Sequence, residues 1–177
     1  MDGNYRTFVF DLDGTLVRLV VDWEAVATEV ASVLETRGID PPESLWEMLE
    51  TADERDCRPA VEKVICGHER DGAADSPRLP AADTVPEGSV GVCSLNCEAA
   101  CRRALAEHGI GGIDAVVGRD TVRTEKPDPE PLLETIRRLD GDPETTLFIG
   151  DTERDATTAD RAGVDYADVS AWLRAYR

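Results

Sequence analysis

From Ser89 onward the chain alternates short apolar runs with stretches of helical spacing, and no other feature constrains the fold as strongly. Val90–Cys93, Ala115–Val117 and Thr146–Ile149 read as strands. Residues 97–107, 128–139 and a segment ending near Ala162 read as helices. Asn96 stands where an N-cap belongs, Asp128-Pro129 opens the second helix, and Gly109 and Gly163 stop the first and third. A weaker fifth strand is expected over Asp165–Val169. Strands that alternate with helices in this way form βαβ units and a parallel sheet. The run Phe8-Val9-Phe10 adds a strand of the same kind near the start of the chain.

Between that first strand and Ser89 the texture is helical. Trp23, Val26, Val30, Val33 and Leu34 share one helical face, and a Gly-Ile-Asp-Pro-Pro break follows. A second helical region starts near Glu43 and carries Leu45, Trp46 and Leu49, then Val61, Val64 and Ile65. The Gly/Ala/Asp/Pro-rich stretch from Asp71 to Gly88 reads as a linker. The expected fold is therefore α/β: a Rossmann-like parallel sheet flanked by helices, built from residues 1–17 and 85–177, with a small α-helical cap inserted at 18–84. A length of 177 residues with 41% apolar content suits one core with an insertion, not two full-sized domains.

Charge narrows the possible partners. There are 37 acidic against 19 basic residues, a formal net charge of −18, with Lys63 and Lys126 the sole lysines. Such a surface repels nucleic acid and anionic membrane. Arginine preferred to lysine over an excess of carboxylates is the composition expected of a salt-loving organism, where counterions screen self-repulsion. No apolar stretch approaches the ~20 residues a membrane span needs, so a cytoplasmic protein is expected.

The five cysteines are odd in number and no secretory leader is visible, which argues against a disulfide framework. Cys97 and Cys101, one helical turn apart, read as small apolar core residues. A metal site at Cys66 and His68 lacks partners at ligand spacing. His108 sits before Gly109 at a helix end, where an imidazolium suits the helix dipole without any catalytic role.

Three clusters carry chemistry. In Asp11-Leu12-Asp13-Gly14-Thr15, side chains two apart in an extended segment point the same way, so two carboxylates face one spot at the carboxyl end of a strand. Asp-Gly alone is a common turn, but like charges held together there are costly without a cation. Gly150-Asp151-Thr152-Glu153-Arg154-Asp155 follows a second apolar strand. Asp151 alone reads as a helix cap; with Asp11 and Asp13 it gives hard oxygen ligands suited to Mg²⁺. Lys126, on a loop, offers a fixed ammonium to offset carboxylate and phosphate charge. Ser94 follows its strand and precedes a helix N-terminus, a ready phosphate site.

These residues resemble the haloacid dehalogenase superfamily on its phosphatase side, in the manner of phosphoglycolate-phosphatase-like proteins. The resemblance rests on Asp-Leu-Asp-Gly-Thr-Leu at 11–16, Ser94, Lys126-Pro127, and Gly150-Asp151 with Asp155 running into Ala162-Gly163. It covers residues 5–17 and 88–169. It implies that Asp11 is a nucleophile that becomes phosphorylated and that Asp13 is the general acid and base. It implies Mg²⁺ held by Asp11, the Asp13 main-chain carbonyl and Asp151, with Asp155 an indirect or water-mediated partner. Leu12, Asp13, Ser94, Leu95 and Lys126 would hold the phosphoryl group of a small phosphorylated metabolite.

The chain departs from the family pattern in two places. Leu95 separates Ser94 from Asn96, and Arg18-Leu19 follows Val17 where relatives often have Asp-Ser. Three alternatives stand beside the phosphatase reading: a phosphomutase, a non-catalytic phosphate-binding module, and a dehalogenase, which is expected to lack Asp13. In the cap, Arg18, Trp23, Trp46, Arg55, Arg58 and His68 are candidates to line the entrance.

Overall fold

The computed structural model describes residues 4–175. Five strands, β1 (Thr7–Phe10), β2 (Ser89–Cys93), β3 (Ala115–Val117), β4 (Thr146–Gly150) and β5 (Asp165–Asp168), form one sheet in the order β3-β2-β1-β4-β5. Every pairing is parallel, with Phe10 opposite Val92 on one side and Ile149 on the other. Among the described residues seven helices accompany it: α1 (Trp23–Glu35), α2 (Leu45–Glu54), α3 (Arg58–Ala74), α4 (Glu98–Glu107), α5 (Glu130–Arg138), α6 (Glu153–Ala162) and α7 (Val169–Ala175). The fold is the Rossmann-like α/β class with an inserted helical cap. None of the described helices is long and apolar enough to cross a membrane.

Strand side chains alternate between faces, and the two faces feed separate clusters. Phe10, Val90, Val92, Leu147 and Ile149 pack with α4 residues and Trp172; Val9, Cys93 and Phe148 pack with Leu132 and Ile136 of α5 and Ala159 of α6. Each buried Val, Leu, Ile or Phe among them contributes roughly 1.5–3 kcal/mol. A third cluster joins Val26, Val30 and Leu34 of α1 to Met48, Leu49, Val61 and Ile65 of α2 and α3. The cap thus has an interior of its own.

Four details differ from the sequence reading. The second helical region is two helices, broken where Asp56 takes φ 54. The expected linker after Asp71 continues α3 to Ala74 and later forms a short 3-10 turn at Pro80–Asp83. The fifth strand ends at Asp168, and α7 follows it. Trp172 of α7 is 1% exposed, touches the rings of Phe8 and Phe10, and donates to Thr84 Oγ1 at 2.7 Å. Cys97, not Asn96, is the N-cap of α4.

The strand order reverses at β1, whose neighbours are β2 and β4. Chains leaving β2 and β4 run to opposite sides and open a crevice beyond the end of β1, where open parallel sheets bind ligands. The segments that join core and cap lie side by side above it. Leu79 N–H donates to Leu16 O, and Arg18 N–H to Pro77 O, both at 2.9 Å.

Candidate active site

Asp11 is the first residue beyond β1 and is 5% exposed; its N–H still donates to Ile149 O at 2.8 Å, extending the sheet. Lys126 comes from the loop before α5, 115 positions further along the chain, and its ammonium donates to Asp11 Oδ1 at 2.7 Å. It also donates to Asp155 Oδ1 at 2.5 Å and to Cys93 O at 3.2 Å. All its donors are thereby used. The other Asp155 oxygen accepts from Thr152 Oγ1 at 2.6 Å and Thr152 N–H at 3.2 Å, half of a capping box that opens α6.

Carboxylate oxygens of Asp11, Asp151 and Asp155 lie within 4.8 Å of one another. Burial first of all, with repulsion from Asp155 and Asp151, pushes the Asp11 carboxyl up to about 7, although Lys126 pulls the other way. Burial also raises Asp151, aided by Asp155. Against its own burial, Lys126 is held strongly protonated by Asp11 and Asp155. One ammonium thus faces three carboxylates. The donor set is hard, oxygen-only and short of positive charge, and it fits a divalent cation such as Mg²⁺.

Asp13 faces the same cavity, but its Oδ1 accepts from Leu19 N–H at 2.8 Å, and its carboxylate stands outside the three-carboxylate group. Burial raises its pKa, with the Leu19 bond opposing. Gly14 makes the turn possible at φ 90. A Cβ there would sit 2.1 Å from Asp151 Oδ2.

After β2, Ser94 Oγ donates to Asn96 Oδ1 at 3.1 Å and accepts from Asn96 N–H at 3.2 Å. The displaced asparagine therefore still folds back onto the motif hydroxyl, and Ser94, Leu95 and Asn96 all line the cavity. The turn is gripped from outside by residues that the sequence did not single out. Glu69 of α3, fully buried, accepts from Cys97 N–H at 2.9 Å and Asn96 Nδ2 at 3.1 Å. Arg119, just beyond β3, donates to Leu95 O at 2.7 Å, to Glu69 Oε1 at 2.8 Å and to Glu62 Oε2 at 2.8 Å. Burial works against the Arg119 charge, but Glu62 and Glu69 outweigh it and raise its pKa further. The sequence signal was available: Arg119 stands at the carboxyl end of a strand, where site residues collect.

Cys97 corrects the cysteine reading. It is buried as expected, but it is disulfide-bonded to Cys66 of α3 across 31 positions. The odd count and the lack of a Cys-x-x-Cys pair said nothing about partners brought together by the inserted helices. Cys57, Cys93 and Cys101 are free and buried.

The cap candidates divide. Trp23 and Trp46 line a cavity of about 410 Å³ together with Leu45, Leu49 and Ile65, facing Asp11, Asp13, Ser94 and Lys126. Arg58 instead pairs with Asp53, Glu62 and Glu125, and His68 with Glu29. Arg18 is exposed and its charge only opposes the burial that raises the Asp13 pKa; Arg55 caps the end of α2.

Residues 87–169 match the haloacid dehalogenase-like hydrolase family model. A phosphoglycolate phosphatase of Cereibacter sphaeroides is 32% identical over 184 residues, covering 90% of this chain and 82% of the relative. One from Aquifex aeolicus is 27% identical, with 92% and 83% covered. Among solved structures, a hydrolase from Pseudomonas syringae superposes with a TM-score of 0.65 at 17% identity, over 97% of both chains. A HAD family hydrolase from Deinococcus radiodurans, holding phosphate and sodium, gives 0.59 at 19% identity, over 94% and 81%. The chain belongs to the haloacid dehalogenase-like hydrolases. Its relatives set it among the phosphatases of that family.

Proposed function

We propose that the protein is a Mg²⁺-dependent phosphatase that hydrolyses a small phosphorylated metabolite through a phosphorylated Asp11. The observation that carries this reading is the buried Asp11–Lys126–Asp155 arrangement with Asp151 beside it. The Asp11 carboxylate attacks phosphorus and the alcohol leaves; water then attacks the acyl phosphate and frees inorganic phosphate. Asp13, with a raised pKa, gives its proton to the departing alkoxide and then takes one from the water. Lys126 and the turn from Ser94 to Leu95 offset charge on the phosphoryl oxygens, and the Leu12 and Asp13 segment offers main-chain N–H groups. Asp11, Asp151 and the Asp13 carbonyl would hold Mg²⁺, with Asp155 supporting through Lys126 and Thr152; the ion supplies charge neutralisation that lets two anions meet.

We divide the chain into a core, residues 1–17 and 85–177, and a cap, 18–84. The separate interior shared by α1, α2 and α3 supports the division. Phosphoglycolate is the substrate of the relatives by name and the first compound to assay. Purified protein in high salt, given Mg²⁺ and phosphate monoesters, should release inorganic phosphate. Chelation should stop it and Mg²⁺ restore it. Equal turnover by wild type and Asp11→Asn ends the proposal.

A further inference from the structure

Resting on the phosphatase reading, the geometry points to the class of substrate: a phosphate monoester whose alcohol carries a flat, uncharged aromatic or apolar group seated against Trp23 and Trp46.

Volume is the first argument. A cavity of about 410 Å³ holds far more than a phosphoryl group, so most of its space belongs to the leaving alcohol. The wall opposite Asp11 and Lys126 comes from α1, α2 and α3, and its side chains are Trp23, Leu45, Trp46, Leu49 and Ile65. Two of them are exposed in an unusual way. Trp23 is 44% and Trp46 43% exposed, and with Val20 they are the large apolar side chains left open among the described residues. A tryptophan that stays half open at the mouth of a binding cavity gains free energy when a flat ring covers it.

Charge gives the second argument, independent of the first. Among the described residues, Lys126 and Arg119 are the only cationic side chains lining the cavity. Lys126 spends its donors on Asp11, Asp155 and Cys93 O; Arg119 spends its own on Glu62, Glu69 and Leu95 O. An anionic group on the alcohol would enter a space edged by Asp13 and Glu69 whose lining cations are already paired, while exposed Arg18, which acts on Asp13, is not among the lining residues, and a charge so placed is costly. Arg154 stacks on the Trp46 ring, 5.4 Å from its centroid, and does not line the cavity. A phosphate monoester whose alcohol bears a carboxylate, such as 2-phosphoglycolate, therefore meets the wrong walls.

The test compares benzyl phosphate, ethyl phosphate and 2-phosphoglycolate, whose leaving alcohols are of similar acidity, at saturating Mg²⁺ in high salt. Benzyl phosphate should have a kcat/KM at least about tenfold above ethyl phosphate, within the range a hydrophobic pocket supplies, and 2-phosphoglycolate should fall below both. Trp46→Ala and Trp23→Ala should each shrink the benzyl-to-ethyl ratio through KM, while Trp46→Phe keeps it. A misfolded variant would lose both esters together and leave the ratio unchanged. Hydrolysis of all three without ring preference, a ratio unchanged in alanine variants that still hydrolyse ethyl phosphate at the wild-type rate, or preference for 2-phosphoglycolate overturns this inference and leaves the phosphatase reading intact. No hydrolysis of any ester, or hydrolysis unaffected by Asp11→Asn, overturns both.

Discussion

The Glu69 carboxylate of cap helix α3 accepts the backbone N–H of Cys97 at 2.9 Å, so a cap residue caps the first turn of core helix α4. Free N–H groups at a helix start attract an anion, and here the protein supplies one from the inserted segment. Arg119 binds both Glu69 and Leu95 O, and therefore ties the turn after β2 to the same helix. The Cys66–Cys97 bond crosses the same boundary. The α3 side of the cap is fixed to the core by contacts that also shape the site.

Removing the guanidinium should expose how much depends on it. Arg119→Met leaves the buried Glu69 without its cation, although Glu62 keeps Arg58, and an uncompensated buried charge of this kind costs ~3–5 kcal/mol. Urea denaturation should show a midpoint lowered accordingly. Glu69→Gln, which keeps an acceptor for Cys97 N–H, should lose less. A shift for Arg119→Met within experimental error would refute the account.

Acid should weaken the same network first. Burial pushes the Glu62 pKa up, but hydrogen bonds and charge from Arg119, then Arg58, prevail and hold it below its ordinary value of 4.5. A carboxylate with a lowered folded pKa contributes stability that is present above the unfolded value and lost as pH falls through the folded one. Stability should therefore drop below about pH 4.5, and Glu62→Gln should flatten that slope relative to wild type. Parallel slopes for the two proteins over pH 3 to 6, read from denaturant midpoints, would contradict it.

Lys126 stands between two carboxylates that would otherwise repel. Lys126→Met should cut kcat by about 10²–10³, the usual cost of losing a fixed charge donor at a reacting oxyanion. The folded protein should still form, and circular dichroism would check that. Turnover within about threefold of wild type would mean the ammonium has no part in the chemistry.

Gly14 makes a narrower test of metal binding. Because its φ is 90 and a Cβ would stand 2.1 Å from Asp151 Oδ2, Gly14→Ala must displace that carboxylate or the turn itself. The Mg²⁺ concentration for half-maximal activity should rise about 10–100-fold, as it does when support for a metal ligand is lost. An unchanged Mg²⁺ dependence would show that Asp151 does not serve the ion.

Much of this architecture was legible from local pattern. Val90–Cys93, Ala115–Val117 and Thr146–Ile149 are short and apolar because a parallel sheet covered on both faces needs no polar alternation, and all three lie in observed strands. The clusters around Asp11, Ser94 and Asp151 were visible as charge or hydroxyl at strand ends and Lys126 as a loop cation; Asp11, Ser94 and Lys126 line one cavity, and Asp151 lies beside Asp11 and Asp155. Helix α7 was not foreseen, because Trp172 takes its burial from Phe8 and Phe10, some 160 positions away, and local periodicity does not report it. Glu69 and Arg119 were missed for a related reason. Each reads singly as a solvated charge, and only the packing of α3 on α4 takes both out of water.

The pairing of half-buried Glu62 and buried Glu69 with buried Arg119 restricts how the sequence can drift. A lineage that loses one of these charges passes through a folding-impaired ancestor before a second change can restore neutrality. These positions should thus be inherited as a set, or replaced as a set by apolar residues. The same logic ties the history of the inserted helices to that of the loop after the third strand.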